Sequence, residues 1–247
     1  KNIKILVIGD CLLDAYFFGN CERISPESPT PVIVYDNEKY ELGGAGNVAS
    51  NLAALGAEVY LSSVIAQDSM HDIVSGLLKK KKININSSIK SKSIKTIVKK
   101  RIIAKNQQIV RLDYEKYDEK KYAPLRKKIL VKLINKIKFM DTIIISDYGK
   151  GFLDERFIQK IIISAKKLGK TVIIDPRKRN TNYNSFKKAD YLTPNLYELR
   201  VLKNDLKNES NEIKKLSKHI IKKFNIKNLI VTRSEKGLMF ISKNKVI

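Results

Sequence analysis

Apolar and polar positions follow two alternating rhythms along this chain. Ile3–Ile8 is a nearly continuous β-branched run ending at Gly9-Asp10, the pattern of a strand buried on both faces. Val48, Ala49, Leu52, Ala53 and Leu55 then recur at helical spacing, predicting a helix over Ala45–Leu55 that stops at Gly56. Val59–Ile65 reads as the next strand and Asp72–Leu78 as a helix, with Lys79–Lys82 its frayed end. Ala123–Phe139 reads as a long amphipathic helix with Pro124 in its first turn and Ile129, Leu133, Ile134 and Ile137 on one face. The pattern continues with a strand at Thr142–Ser146, a helix at Glu155–Leu168 and a strand at Thr171–Ile174. A helix at Glu209–Phe224 and a strand at Leu229–Thr232 complete it.

Repeated strand–helix units imply an α/β fold, a doubly wound and mostly parallel sheet covered on both faces. Two segments break the rhythm: Pro31–Leu42 and Ser93–Leu112 carry strand patterns with no helix between. The second predicts a hairpin, Lys95–Ala104 and Gln108–Leu112, turning at Lys105–Gln107. A small antiparallel β flap or lid, from segments of about 12–42 and 93–113, inserted in one domain over 1–247 is the simplest assembly. Nothing reads as a linker or repeat.

Composition changes this picture little. The chain has 247 residues, 43% of them hydrophobic and 30% charged, ample for a buried core. No run approaches the ~18 apolar residues of a membrane helix, and Ile3–Ile8 is too short for a signal peptide. The expectation is a cytoplasmic protein without a membrane partner. The chain opens on Lys1 rather than Met, which implies a trimmed or processed start. A net charge of +24 points to a polyanion partner, but the excess is 40 Lys against 9 Arg, spread along the chain. Lys, Ile and Asn share AT-rich codons, so codon bias accounts for it and no nucleic-acid partner is expected. Cys11 and Cys21 lack a CxxC spacing, and His71 and His219 sit in no metal motif.

The chemistry-bearing residues cluster where strands end. Asp147, Asp175 and Asn195 each follow an apolar strand, as Asp10 and Asp14 follow the first. In open α/β sheets ligands bind at those carboxyl ends; the plainer reading is that each Asp caps the next helix. Gly43-Gly44-Ala45-Gly46-Asn47 precedes a helix, either a tight turn or a place where backbone N–H groups meet a ligand. Gly44-x-Gly46-x-x-Ala49 matches a dinucleotide fingerprint only formally, because the preceding Asn37–Glu41 is polar. Asp147-Tyr148-Gly149-Lys150-Gly151 puts a carboxylate and an ammonium around glycines, or is a solvated loop. Asn195-Leu196-Tyr197-Glu198 puts an amide and a carboxylate on one helical face, or is a capping box.

Taken together and in this order, these segments resemble the ribokinase-like (PfkB) family of carbohydrate kinases, over essentially the whole chain. The residues that carry the resemblance are Gly9–Asp14, Arg23–Val32, Gly43–Ala49, Asn106–Gln108 with Arg111–Asp113, Asp147–Gly151, Asp175-Pro176, Thr193–Glu198 and Val231–Gly237. Within the family, Ser25–Pro29 and Asn106–Gln108 are similar to the branch that phosphorylates heptose 7-phosphate. The resemblance implies roles. Asp14, Gly43, Gly44 and Asn47 would bind sugar hydroxyls. Lys99, Arg101 and Arg111 would approach the sugar's phosphate, where fixed positive charge suits a dianion. Asp147 and Lys150 would line the cleft. Asn195, Leu196, Tyr197 and Glu198 would hold ATP, Glu198 acting on Mg²⁺ through water, and Thr232, Ser234 and Gly237 would border the nucleotide. The implied reaction moves the γ-phosphoryl of ATP to the C1 hydroxyl of D-glycero-β-D-manno-heptose 7-phosphate, for lipopolysaccharide core synthesis. Another sugar kinase of this fold, or a non-catalytic sugar-binding or dimerising remnant, are the alternatives; a homodimer through the β lid is also implied.

One departure from the family pattern stands out. The family's Gly-Ala-Gly-Asp segment supplies an anion hole and the base that deprotonates the acceptor, and no Gly-x-Gly-Asp occurs in these 247 residues. The strand leading to it should begin at Lys243–Ile247. The expectation is an incomplete kinase domain that binds sugar better than it turns it over.

Overall fold

The computed structural model describes residues 3–176, 182–200 and 210–247. The chain runs β1 (Lys4–Gly9), β2 (Cys11–Ile24), β3 (Pro31–Gly44), α1 (Ala45–Ala54), β4 (Glu58–Ser62), β5 (Val64–Ala66), α2 (His71–Lys80) and β6 (Ile89–Ser91). It continues β7 (Val98–Ala104), β8 (Gln107–Tyr114), α3 (Glu119–Ile137), β9 (Thr142–Ser146), α4 (Glu155–Lys167) and β10 (Thr171–Asp175). Then come β11 (Tyr191–Leu192), α5 (Leu196–Leu199), α6 (Ser210–Phe224), β12 (Asn228–Thr232) and β13 (Leu238–Ser242). The expected start of α6, Glu209, lies outside the described residues.

Seven strands form the central sheet in the order β13-β12-β11-β10-β9-β1-β4, all parallel except the β12–β13 pair. Alternate residues of β1 feed two cores: Leu6 and Ile8 pack with Ile129 and Leu133 of α3 and Ile161 of α4, and Val7 packs with Ala49 of α1 and Val74 of α2. That division is why the run is apolar at almost every position. The chain leaves β1 for β4 on one side and returns to β9 on the other. The strand order therefore reverses between β1 and β9, and the crevice at such a reversal is where open α/β sheets take ligands.

The lid is a second sheet, ordered β3-β2-β7-β8. The expected antiparallel flap is present as two hairpins, β2–β3 and β7–β8, and a parallel β2–β7 pairing joins them. Lys105 and Asn106 turn the second hairpin with φ of 48° and 65°, the left-handed pair that matches strand twist.

Three expectations are corrected. The strand over Val59–Ile65 divides at Ser63: β4 stays in the main sheet and β5 pairs with β6 in a two-stranded one. The backbone N–H of Ser63 donates to Ser88 Oγ and its hydroxyl accepts from the Cys11 N–H, which draws the chain out of the first ladder. Helix α3 begins at Glu119, one turn before the expected start, because the Asp118 side chain caps it by accepting from the Lys120 N–H. Pro124 thus lies beyond the first turn, on the exposed side. Ile134 is exposed, and the buried stripe is Tyr122, Arg126, Ile129, Leu133 and Ile137. Beyond β13 the chain folds back on itself, with Phe240 and Ile247 exchanging backbone hydrogen bonds.

Candidate active site

The predicted site residues lie along the carboxyl edge of the main sheet and on the lid above it. They form three groups. On the lid side, Asp14 of β2 and Arg101 of β7 meet across the parallel pairing, Arg101 Nη1 donating to Asp14 Oδ1 at 2.5 Å. The other Asp14 oxygen lies over Gly43, where a Cβ would come within 2.4 Å of it. Gly44 ends β3 with φ of 59°, and a Cβ there would lie 2.4 Å from the Asp10 carbonyl. At Gly44 the close atom is backbone and φ is positive, whereas at Gly43 it is the end of a side chain, so Gly44 in particular requires a glycine. Asn47 follows in the first turn of α1, exposed.

Lys99 and Arg101 share a strand face with Asp14, since β2 and β7 align Asp14 with Lys99 and Tyr16 with Arg101. Tyr16 lies under the guanidinium, 5.2 Å from ring centroid to Arg101 Cζ. Arg111 faces Arg101 across the hairpin and forks onto Asp113, Nε to Oδ1 at 2.8 Å and Nη2 to Oδ2 at 2.9 Å.

The middle group is the loop after β9. Asp147 is buried, accepts from the Gly149 N–H at 2.9 Å, and donates its own N–H to the Asp175 carbonyl of β10. Lys150 Nζ donates to Glu115, which follows the last lid strand, so this loop and the lid exit are tied together. Tyr117, also on the lid exit, packs where a Gly151 Cβ would point. Arg126 of α3 secures the loop from below, donating to the Gly151 carbonyl at 2.7 Å and pairing with Asp154 at 2.7 Å. Asp175 accepts from the Thr193 hydroxyl at 3.0 Å, and burial pushes its carboxyl above the usual range. Burial, with the charges of Asp175 and Asp14 behind it, likewise raises the Tyr148 phenol.

The third group gathers at β11 and β12. Asn195 caps α5 and forms the capping box: Glu198 N–H to Asn195 Oδ1 at 2.9 Å, and Asn195 N–H to Glu198 Oε2 at 2.8 Å. Glu198 Oε1 also accepts from Asn195 Nδ2 at 2.9 Å, and the residue is buried. Leu196 is half-buried and Tyr197 exposed. The Thr232 N–H donates to the Pro194 carbonyl, setting the end of β12 beside this turn. Ser234 and Gly237, at φ of 54° and 73°, carry the exposed loop beyond.

Sequence reasoning passed over Tyr16, Glu115, Tyr117 and Arg126, which act through partners distant in the chain. Cys11 is a free thiol that burial pushes up to about 12, an inert group.

A parallel sheet with a carboxylate-rich edge, a strand-order reversal between β1 and β9 and a four-stranded β lid define the class: an open α/β fold with its ligand crevice at that reversal. The sequence matches the pfkB family carbohydrate kinase profile over residues 2–247, and the chain belongs to that family. It is 40% identical over 245 residues to the bifunctional protein HldE of Helicobacter acinonychis (strain Sheeba), covering 99% of this chain and 52% of that protein. To the bifunctional protein HldE of Haemophilus influenzae (strain PittEE) it is 39% identical, covering 99% and 50%. The chain thus spans about half the length of the curated relatives it matches. Among solved structures its fold is similar to that of Sa239, with TM-score 0.79, 18% identity, and coverage of 100% of this chain and 78% of that one. It is also similar to Escherichia coli phosphofructokinase-2 in complex with fructose-6-phosphate, with TM-score 0.76, 16% identity, and the same coverage. No helix among the described residues is long and apolar enough to cross a membrane.

Proposed function

We propose that this chain is the heptose-phosphorylating part of a sugar-phosphate kinase, using ATP and Mg²⁺ to phosphorylate C1 of D-glycero-β-D-manno-heptose 7-phosphate. The observation that carries the reading is the Asp14–Arg101 pair beside Gly43, in a chain similar to HldE proteins over its whole length. It sets a hydroxyl acceptor next to a fixed guanidinium, the chemistry a phosphorylated sugar demands. Asp14, Gly43, Gly44 and Asn47 take the sugar hydroxyls, and Lys99, Arg101 and Arg111 take its phosphate. Asp147 and Lys150 line the gap toward the nucleotide. Asn195–Glu198, Thr232, Ser234 and Gly237 border ATP.

Mg²⁺ supplies charge neutralisation between phosphates when bound. The donor set fits an outer-sphere role: both Glu198 oxygens already accept hydrogen bonds from Asn195, leaving reach to the ion through water. Mg²⁺ commonly keeps several waters and takes few protein carboxylates. Calorimetry with heptose 7-phosphate and with unphosphorylated heptose tests the reading; equal affinity for the two would refute the phosphate assignment.

The lid's other face supports a homodimer. Phe17, Tyr35, Ile102, Leu112 and Tyr114 line a groove of about 300 Å³ there, and Tyr35, Leu112 and Tyr114 are exposed. A second copy's lid, with the same apolar face, is the occupant proposed.

A further inference from the structure

One residue touches both walls of the cleft. Asp10, directly after β1, is 3% exposed. Its carbonyl accepts the N–H of Ala45, the first residue of α1, at 2.9 Å, which sets the glycine turn. Its carboxylate crosses the sheet reversal to the loop after β9. There Oδ2 accepts from the Lys150 N–H at 3.2 Å and Oδ1 from the Phe152 N–H at 3.0 Å. Phe152 is buried against Phe157, so its N–H is a firm anchor, whereas Lys150 ends in a side chain that reaches the lid exit. The family resemblance gives Asp10 no role, and its backbone and side-chain contacts do different jobs.

We propose that Asp10 is a positioning residue of this cleft: its ionised carboxylate clamps the Asp147–Phe152 loop at a fixed distance from the glycine turn, and so sets Asp147 against the sugar and Lys150 toward the lid exit. A carboxylate suits the place because it accepts two N–H groups at once. A protonated acid or an amide offers one acceptor oxygen and turns a donor toward the other N–H. Charge-assisted bonds of this kind are also the stronger ones.

The clamp is set to respond to acid. Burial pushes the Asp10 carboxyl up to about 6, and the nearby Asp147 adds to the rise, while the two N–H donors and Lys150 oppose it. The other groups facing it are Cys11 next in the chain, Lys95 before β7, and Tyr122 of α3, whose phenol Asp10 helps to raise. As pH falls through about 6 the carboxylate takes a proton and one of the two loop contacts is lost.

The proposal rests on the sugar-phosphate reading for its ligand and on this geometry for the clamp, and the two are tested apart. In the ¹⁵N-labelled chain without sugar, the Lys150 and Phe152 amide resonances are expected to titrate together with a midpoint near 6, and to stay flat in Asp10→Asn. Calorimetry with heptose 7-phosphate then compares parent and Asp10→Asn. The variant should bind about tenfold more weakly near neutral pH, a loss that shrinks toward nothing about two units lower. Taking the ratio of the two proteins cancels the titration of the sugar's own phosphate. Amides that do not titrate in the parent, or a ratio that ignores pH, would overturn the proposal. If Asp10→Asn does not fold, the parent's amide titration decides alone. If the parent binds no sugar phosphate, the functional reading falls, and the amides still decide whether the clamp exists.

Discussion

Asp14 and Arg101, 87 residues apart in the chain, meet at 2.5 Å only because β2 and β7 run parallel in the lid. Each side chain is about one-fifth exposed, so the pair is partly desolvated and stays open to a ligand. As a stabilising contact it contributes on the order of 1 kcal/mol. Under the function proposed above, the pair would hold a cation and an anion where a phosphorylated sugar can use both.

Separating the two charges follows from that arrangement. Arg101→Ala should weaken heptose 7-phosphate binding about ten- to a hundredfold and leave the unphosphorylated sugar nearly unaffected. Asp14→Ala should weaken both ligands. A double-mutant cycle read by calorimetry isolates the coupling. An Arg101→Ala protein that binds the phosphorylated sugar as tightly as the parent removes Arg101 from the pocket.

Gly43→Ala and Gly44→Ala should fail differently. A methyl at 43 meets the Asp14 carboxylate at 2.4 Å, a side chain that can move aside. The expected result is a folded protein with sugar binding reduced at least tenfold. At 44 the methyl meets the Asp10 carbonyl at 2.4 Å with φ at 59°, so backbone must move. That variant should lose about 2 kcal/mol or more of stability, measured by urea denaturation.

Asp10 gives a pH signature in stability as well as in binding. Its native value of about 6 lies above the ordinary 3.8, so the folded state holds this proton more tightly than the unfolded one. The contribution is therefore fully present below about 3.8 and is lost as pH rises through about 6, a swing on the order of 3 kcal/mol. The stability of the parent minus that of Asp10→Asn should fall as pH rises between those limits. A difference that stays constant across them would show that Asp10 does not titrate there.

On the lid's outer face, Leu112→Lys should shift the chain toward monomer in analytical ultracentrifugation while leaving its circular dichroism unchanged. Leu112 is 44% exposed, so the substitution costs the monomer little. A variant that sediments as the parent does would argue against association through this face.

Much of the fold was legible because it follows from local periodicity. The nearly continuous run Ile3–Ile8 reads as a strand covered on both faces, and Leu6, Val7 and Ile8 of β1 do enter two cores, while Ile3 stays exposed. Gly43-Gly44, Asp147-Tyr148-Gly149 and Asn195–Glu198 were legible as a tight turn, a strand-exit loop and a capping box because special backbone and capping chemistry leave signatures within a few residues. The misread stripe of α3 marks the boundary. Apolar spacing favoured Ile134, which is exposed, whereas Arg126 is buried, pairing with Glu119 of its own helix and with Asp154 and the Gly151 carbonyl of another segment.

By itself the sequence determined most of the strands and helices of the main sheet, where the glycines bend the chain, and which residues carry charge at the strand ends. Those are properties of neighbours, set by backbone geometry and by the period at which apolar groups recur. Only the tertiary structure decided that β2 pairs in parallel with β7, that the strand order reverses between β1 and β9, and that Asp10 reaches Lys150 and Phe152. A parallel pairing has no tight turn to announce it, and a hydrogen bond spanning 140 residues depends on how the layers pack. Asp14 and Arg101 were each readable as polar residues on strands; their meeting is a consequence of register.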